Sequence, residues 1–177
     1  MSHLNVEFKA RCHNLGQIRD ILTIAYNANF HGLDHQIDTY FKPPNGRLKL
    51  REGNVENNLI YYERENKQGP KQSLVTLFDT QSANVRDLKE ILTKSIGVLA
   101  VVDKIREIYF VDNVKFHLDQ VKSLGNFVEV EALDKKGDIG REFLIRQCAD
   151  FLKEFQIQEK DLISISYSNM LLELSKK

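Results

Sequence analysis

Apolar and polar residues alternate over positions 4–10, and this alternation predicts a β-strand with one buried face. The polar face of this segment consists of Asn5, Glu7 and Lys9, and each residue between them is apolar. A period of two places alternate side chains on opposite sides of a strand. The charged face of this first strand therefore needs water or charged partners.

Similar short runs, separated by turn residues, predict further strands and about eight in total. These strands cover roughly 36–41, 46–52, 59–65, 73–78, 98–111, 114–121 and 127–133, the 98–111 segment being one long strand or two continuous ones. Apolar residues at helical spacing predict three to four helices. The helices cover roughly 14–26, 84–94, 142–155 and 159–174, and 27–32 is expected to be a loop.

The short connections favour an antiparallel meander, and eight strands are enough to close a barrel. We therefore expect an α+β fold, with an eight-stranded antiparallel β-barrel flanked by helices. No linker, low-complexity tract or repeat interrupts the sequence, so residues 1–177 are expected to form a single domain.

Composition excludes a global electrostatic attraction to nucleic acid or to an anionic membrane. Lys plus Arg and Asp plus Glu each total 25, so the formal net charge is zero. The longest aliphatic run, Val98 to Val102, is too short to span a bilayer. Cys12 and Cys148 are far apart and lack metal-ligand spacing, which favours packing roles and a reduced, cytoplasmic location.

The strand over 46–52 concentrates positive charge on one face. Arg47, Lys49 and Arg51 share that face, while Leu48 and Leu50 lie on the other. Cations this close repel each other unless they face water or converge on an anion. A solvated strand with its leucines in the core is the ordinary interpretation of such a strand taken alone.

Several other strands repeat this division into an apolar face and a charged face. Lys104 shares a face with Arg106, and Glu129 shares one with Glu131. Because the predicted helices also need apolar surface to cover, we expect the apolar strand faces to point outward and the charged faces to line a wet lumen. Cations and carboxylates together there would suit a polyanion accompanied by divalent metal ions.

Individual residues of this set also have simpler explanations. Glu129 and Glu131 taken alone could form a solvated strand face. His117 is expected to be a structural, hydrogen-bonded histidine rather than a ligand, since hard-metal sites prefer carboxylates. Tyr61 and Tyr62 are expected to pack in the barrel wall.

At the level of motifs, the chain resembles the CYTH superfamily, the triphosphate tunnel metalloenzymes, which include class IV adenylyl cyclases and thiamine triphosphatases. The segment 5–9 (NVEFK) is similar to the family's Glu-x-Glu-x-Lys signature. The similarity continues in order through 38–41 (DTYF), 46–51 (GRLKLR), 69–71 (GPK), 104–106 (KIR), 117–121 (HLDQV) and 124–131 (LGNFVEVE).

The resemblance implies an eight-stranded tunnel that binds a nucleotide or an inorganic triphosphate with Mg²⁺ or Mn²⁺. It implies a metal-binding set of Glu7, Asp119, Glu129 and Glu131. It implies phosphate contacts from Lys9, Arg47, Lys49, Arg51, Arg64, Lys71, Lys104 and Arg106. Among these, the catalytic residues would be Glu7, Lys9 and Arg106. A homodimer is a further expectation at the level of the family.

One departure from the family pattern is Asn5, which stands where the family has its first glutamate. An amide oxygen can ligate a metal but adds no charge, so weaker binding of one ion is expected. The motifs are most similar to class IV adenylyl cyclases, and an inorganic or organic triphosphatase is the close alternative. A non-catalytic nucleotide or polyphosphate-binding module is a third possibility, and an RNA 5′-triphosphate processor is a weaker fourth.

Overall fold

The computed structural model describes residues 2–64 and 68–176. The strands are β1 (Ser2–Arg11), β2 (Asn29–Phe41), β3 (Arg47–Glu52), β4 (Asn58–Arg64), β5 (Lys71–Asp79), β6 (Val98–Val111), β7 (Val114–Val121) and β8 (Gly125–Asp134). The helices are α1 (Leu15–Asp20), α2 (Val85–Ile96), α3 (Arg141–Glu154) and α4 (Tyr167–Leu174). A π-helical turn (Ile21–Ala25) follows α1, and a 3₁₀ turn (Glu159–Asp161) precedes α4.

The eight strands form a closed barrel in which every neighbouring pair is antiparallel. Two meanders, β2–β5 and β6–β8, join along the β2–β6 pair, and β1 closes the ring between β5 and β8. The expected eight-stranded antiparallel barrel with flanking helices is confirmed. The simple sequential meander is wrong at two connections, β1 to β2 and β5 to β6, because each passes through a helix and joins strands that are not neighbours in the ring.

The outer faces of β1, β7 and β8 carry the main hydrophobic core. Val6 and Phe8 of β1, like Val128 and Val130 of β8, are almost fully buried and belong to one cluster with side chains of α1 and α3. These are the apolar positions of the period-two pattern, so the alternation sends them outward under the helices. The residues between them then face the inside of the barrel.

A smaller core lies under α4. It contains Tyr40, Phe127, Tyr167 and Met170, and the Phe127 and Tyr167 rings are 4.9 Å apart between centroids. Helix α2 is different, because none of its residues is buried. The first core and this one therefore fix α3 and α4 against the barrel much more firmly than α2.

Three predicted boundaries are wrong. Residues 29–32 belong to β2 rather than to a loop, because this end of β2 pairs with β6 from Asn29 onward. The predicted helix over 159–174 begins only at Tyr167, where Ser166 caps it by accepting from the Asn169 amide. The predicted helix over 14–26 becomes a π-helical turn after Asp20.

Some expectations fall on parts of the chain outside this description. Glu65, the predicted end of β4, is one of them, and so is the side chain of Arg64. Among the described residues, no helix is long and apolar enough to cross a membrane.

Phe116→Ala is expected to lower the free energy of unfolding by about 3–5 kcal/mol, because it empties a site in the main core. The Phe116 ring is fully buried, 4.7 Å from the Phe151 ring between centroids. Denaturant unfolding measures the loss. Phe143→Ala is the control, since Phe143 is 49% exposed on α3. Equal losses in both variants would contradict this assignment of the core.

Candidate functional site

The barrel encloses a lumen whose wall is made largely of charged side chains. All eight strands contribute to it, together with the β3–β4 loop and the segment before α4. The described side chains on which its chemistry depends are Asn5, Glu7, Lys9, Tyr40, Lys49, Arg51, Glu56, Lys104, Arg106, Lys115, His117, Glu129, Glu131 and Tyr167. The period-two pattern therefore places charge inside the barrel, as the sequence predicts.

The buried carboxylate of Asp38 organises the cations on one side of the lumen. It accepts hydrogen bonds from Lys49 at 2.9 Å, from Lys104 at 2.7 Å, and from Arg51 at 2.8 and 2.9 Å. β2 lies between β3 and β6, which allows a single residue to reach cations on both strands. Burial would raise the pKa of Asp38, but the charges of Arg51, Lys104 and Lys49 outweigh it and hold that pKa well below its ordinary value.

A second network begins on the same strand, β6, and extends across β7 and β8 to β1. The Arg106 guanidinium donates to both Asp119 oxygens at 2.6 and 2.5 Å and to Glu129 at 2.6 Å. Lys9 lies 2.8 Å from the other Glu129 oxygen. The Tyr167 hydroxyl donates to Asp119 at 2.8 Å, and the Lys9 ammonium lies 3.7 Å from the centre of the Tyr167 ring. In this arrangement Asp119 orients Arg106, and its predicted metal-binding role stays a prediction.

Three carboxylates converge on the wall formed by β1 and β8. Glu7 lies directly opposite Glu131 in the β1–β8 ladder, and Glu129 is two residues along the same face. Burial raises the pKa of Glu131 to about 7 in spite of Lys115, and the charges of Glu7 and Glu129 add to the increase. Like charges at such short range favour a bound cation, and their oxygen donors suit a divalent metal. The residues present therefore fit the expected metal ion.

His117 lies beside these carboxylates, with its Nδ1 atom 3.5 Å from an oxygen of Glu129. Its ring is 1% exposed, and neither ring nitrogen has a hydrogen-bond partner in the described part of the chain. Burial lowers the pKa of His117 to about 3, and the charges of Arg106 and Lys115 act in the same direction. The imidazole is therefore neutral near pH 7, and its expected structural role stays a prediction.

Lys104 differs from Arg51 and Arg106 because its pKa is lowered rather than raised. It is 2% exposed. Burial lowers its pKa to about 7 against the favourable charge of Asp38, and the charges of Arg51 and Arg106 lower it further. Near neutral pH, this ammonium can therefore gain or lose its proton when an anion enters or leaves.

The segment before α4 packs against one end of the barrel. The backbone amide of Ile163 donates to the carbonyl of Lys9 at 2.8 Å. The Lys71 ammonium, which is fully buried, lies 3.3 and 3.2 Å from the carbonyl oxygens of Ile163 and Ser164. Lys71 therefore holds this segment in place, and its predicted phosphate contact stays a prediction.

The β3–β4 loop places a carboxylate at the other end. Asp34 accepts from three loop amides, those of Asn54, Val55 and Glu56, at 2.6, 3.0 and 3.0 Å. This arrangement directs the Glu56 side chain into the lumen, where it pairs with Arg51 at 2.8 Å and with Lys115. Burial would raise the pKa of Glu56, but those two cations lower it well below its ordinary value.

The structure brings most of the predicted site residues together. Those on the lumen wall are Glu7, Lys9, Lys49, Arg51, Lys104, Arg106, Glu129 and Glu131. Arg47 lies near the lumen end, 5.7 Å from the centre of the Tyr62 ring. Arg64 is at the end of β4 with its side chain outside the described part. The assigned roles of these residues stay predictions.

Sequence reasoning noted Asp38 in the segment 38–41 but gave it no role in the site, and it missed Glu56 and Tyr167. Asp38 shares its strand face with Tyr40, which agrees with a position inside the barrel. No periodic signal marks Glu56 or Tyr167, because both lie in segments that enter the lumen from its ends.

A family model described as "CYTH domain" matches residues 3–167 of the chain. The chain matches none of the curated proteins with which it was compared.

Three solved structures illustrate the structural similarity. The PH1012 protein of Pyrococcus horikoshii is 24% identical, with a TM-score of 0.69 and 93% of this chain and 98% of that chain covered. A Vibrio parahaemolyticus protein described as a "putative adenylate cyclase" is 18% identical, with a TM-score of 0.70 and 97% and 99% covered. The Schizosaccharomyces pombe RNA triphosphatase Pct1 is 11% identical, with a TM-score of 0.52 and 93% and 86% covered. At these identities, the similarity establishes a shared fold.

Glu56→Gln is expected to strengthen the binding of inorganic triphosphate by about tenfold, because it removes the charge that neutralises Arg51 and Lys115. Calorimetric titration measures the change. Glu52→Gln is the matched control, since Glu52 forms its 2.6 Å ion pair with Lys89 of α2 and does not line the lumen. Unchanged or weaker binding by the Glu56 variant would contradict this prediction.

The affinity for inorganic triphosphate is expected to fall as the pH rises above about 7, the pKa of Lys104. Above that pH, the Lys104 side chain of the free protein is mostly an uncharged amine, which must take up a proton when an anion binds. Below that pH, it is already a charged ammonium. Calorimetry at pH 8 in buffers of different ionisation enthalpy measures this uptake.

Lys104→Arg, which keeps its charge throughout this pH range, serves as the control. Comparing the two proteins cancels the protonation of the triphosphate itself. Equal proton uptake by both proteins would show that Lys104 does not titrate on binding.

Proposed function

Because this chain belongs to the CYTH domain family, we propose that it is a metal-dependent enzyme acting on a triphosphate substrate inside the barrel. The observation that carries the proposal is the lumen itself, where a band of cations lies beside the carboxylates of Glu7, Glu129 and Glu131. Buried charge of both signs is costly to maintain. A polyphosphate would bind to the band of cations, and a divalent cation would bind to the carboxylates.

The cations on β3 and β6 are suited to hold a phosphate chain. Lys49, Arg51 and Lys104 point at one shared carboxylate, so their positive ends already converge on one small volume. Entry of a triphosphate would give these cations a more highly charged partner than Asp38 alone. Donors fixed in advance in this way stabilise the charge that develops on phosphate oxygens without further reorganisation.

The β1–β8 wall would hold the metal ion. Glu7, Glu129 and Glu131 supply oxygen donors, and Lys9 and Arg106 keep Glu129 oriented through their ion pairs. When bound, Mg²⁺ or Mn²⁺ polarises phosphate oxygens and lowers the pKa of an attacking hydroxyl or water. Arg106, fixed by Asp119, lies where it can also contact a phosphate group next to that wall.

The most specific form of the proposal is an adenylyl cyclase of the class IV type. In that reaction, the ribose 3′-oxygen forms a bond to the α-phosphorus, the bond from the α-phosphorus to the bridging oxygen breaks, and pyrophosphate leaves as cyclic AMP forms. Ile60, Val75 and Leu77 give the same lumen an apolar surface at one end, where a nucleotide base could pack. An inorganic triphosphate would make no use of that surface.

A triphosphatase is the alternative, with water as the attacking group and orthophosphate as the product. The entry of Ser166 and Tyr167 into the lumen lining favours it, because these residues take up space at that end and a compact substrate needs less space than a nucleotide. A binding module without turnover would retain the same contacts. The expected homodimer and cytoplasmic location stay predictions in each case.

Product analysis distinguishes these functions. The protein is incubated with ATP and inorganic triphosphate in Mg²⁺ or Mn²⁺, and ³¹P NMR and nucleotide chromatography identify what forms. Cyclic AMP with pyrophosphate is the expected result. Orthophosphate without cyclic nucleotide would establish the triphosphatase. Binding without any product would indicate a binding module without turnover.

Glu131→Gln is expected to reduce metal-dependent turnover at least about 100-fold, because it removes a charged oxygen ligand. The fold should persist, since the variant also removes an unfavourable buried charge. Turnover assays and thermal unfolding measure the two effects. Glu142→Gln, at an exposed position of α3, is the control, and undiminished turnover in the Glu131 variant would contradict the metal assignment.

A further inference from the structure

His117 is a buried polar side chain that makes no hydrogen bond of ordinary geometry within the described fold. Its Nδ1 and Nε2 atoms both lack hydrogen-bond partners in residues 2–64 and 68–176. A buried polar group without a partner costs roughly 1–3 kcal/mol, so proteins rarely keep one without a reason. The position of His117 on the lumen wall indicates that its partner is a ligand that enters the lumen.

The neighbours of the imidazole define the chemistry of that ligand. Its Nδ1 atom lies 3.5 Å from an oxygen of Glu129 and 3.6 Å from an oxygen of Glu131. Ligand atoms of all three residues lie within 4.8 Å of one another. The two distances from Nδ1, 3.5 and 3.6 Å, are long for hydrogen bonds. They are close to those of atoms that share one ion, because metal–ligand bonds of about 2.1 Å place neighbouring ligand atoms about 3.0–3.4 Å apart.

We propose that His117 is the nitrogen ligand of a metal site completed by Glu129 and Glu131, and that this site prefers Mn²⁺ or another first-row transition-metal ion over Mg²⁺. The inference rests on the proposed function, which places a divalent ion at the same carboxylates. The inference adds to that function a nitrogen ligand, His117, and a preferred class of ion, the first-row transition metals. Imidazole suits transition metals, whereas Mg²⁺ favours oxygen donors alone, so a nitrogen ligand changes the order of affinity.

Asn5 strengthens the same preference. It lies on the lumen face of β1, two residues from Glu7, and its buried Oδ1 atom is also without a hydrogen-bond partner in the described structure. A neutral amide at this position gives the site one negative charge fewer than a carboxylate would. An ion held mainly by charge loses more from this change than an ion that also bonds to imidazole nitrogen.

Pulsed EPR of bound Mn²⁺ tests the nitrogen ligand directly, without substrate or turnover. The wild-type protein is expected to show nitrogen hyperfine coupling that changes when the histidines are labelled with ¹⁵N. His117→Gln should abolish this coupling. His35→Gln should leave it intact, since His35 is exposed and pairs with Asp103 outside the lumen. Bound Mn²⁺ without histidine coupling in the wild-type protein would overturn the proposal.

Calorimetric titration with MnCl₂ and MgCl₂ tests the preference. The wild-type protein should bind Mn²⁺ more tightly than Mg²⁺, and His117→Gln should reduce the ratio of the two affinities by about tenfold or more. An unchanged ratio would overturn the proposal, and so would a wild-type preference for Mg²⁺.

Glu131→Gln separates this inference from the proposed function. If it abolishes binding of both ions while His117→Gln changes neither the ratio nor the coupling, the metal site stands and the nitrogen ligand is wrong. If the wild-type protein binds neither ion, the metal dependence of the proposed function is wrong as well.

Discussion

The structure depends on neutralising charge inside a barrel that is closed to most of the solvent. Asp38 shows how this is done, because one carboxylate that is 1% exposed receives three cations from two neighbouring strands. Removing one partner from such a set leaves a buried charge uncompensated, which is far more costly than losing a surface ion pair. The charged lumen, the outward apolar faces and the covering helices therefore depend on one another, because the charges can lie inside only when they are paired and the apolar faces are covered.

The period-two pattern was sufficient to predict the strands and their two faces, because these follow from local alternation, and the number of strands with their short connections predicted the barrel. It predicted correctly that Glu7, Glu129 and Lys104 line a common lumen. It could not predict that β1 lies between β5 and β8, since the order of strands in a sheet depends on long-range packing. Glu56 enters from a loop whose shape is set by hydrogen bonds to Asp34, and no sequence period records that.

The cations of the lumen are engaged before any ligand arrives. Arg51 pairs with both Asp38 and Glu56, and Arg106 pairs with Asp119 and Glu129. An entering anion must therefore interact more strongly with these cations than the carboxylates already do. A triphosphate, with several charges in a short chain, meets this requirement better than a monoanion, so the internal ion pairs act as a threshold for charge density.

The closure of the ring by β1 also links the site to folding. Glu7 comes from the first strand and Glu131 from the last, yet the two are directly opposite each other in one ladder. Pairing of such distant segments is slow, because the entropy of closing a long loop must be overcome before the contacts form. The acidic wall consequently exists only in chains that have completed the ring. An ion bound to that wall would stabilise the closed barrel selectively and act as a clasp between the two ends of the fold.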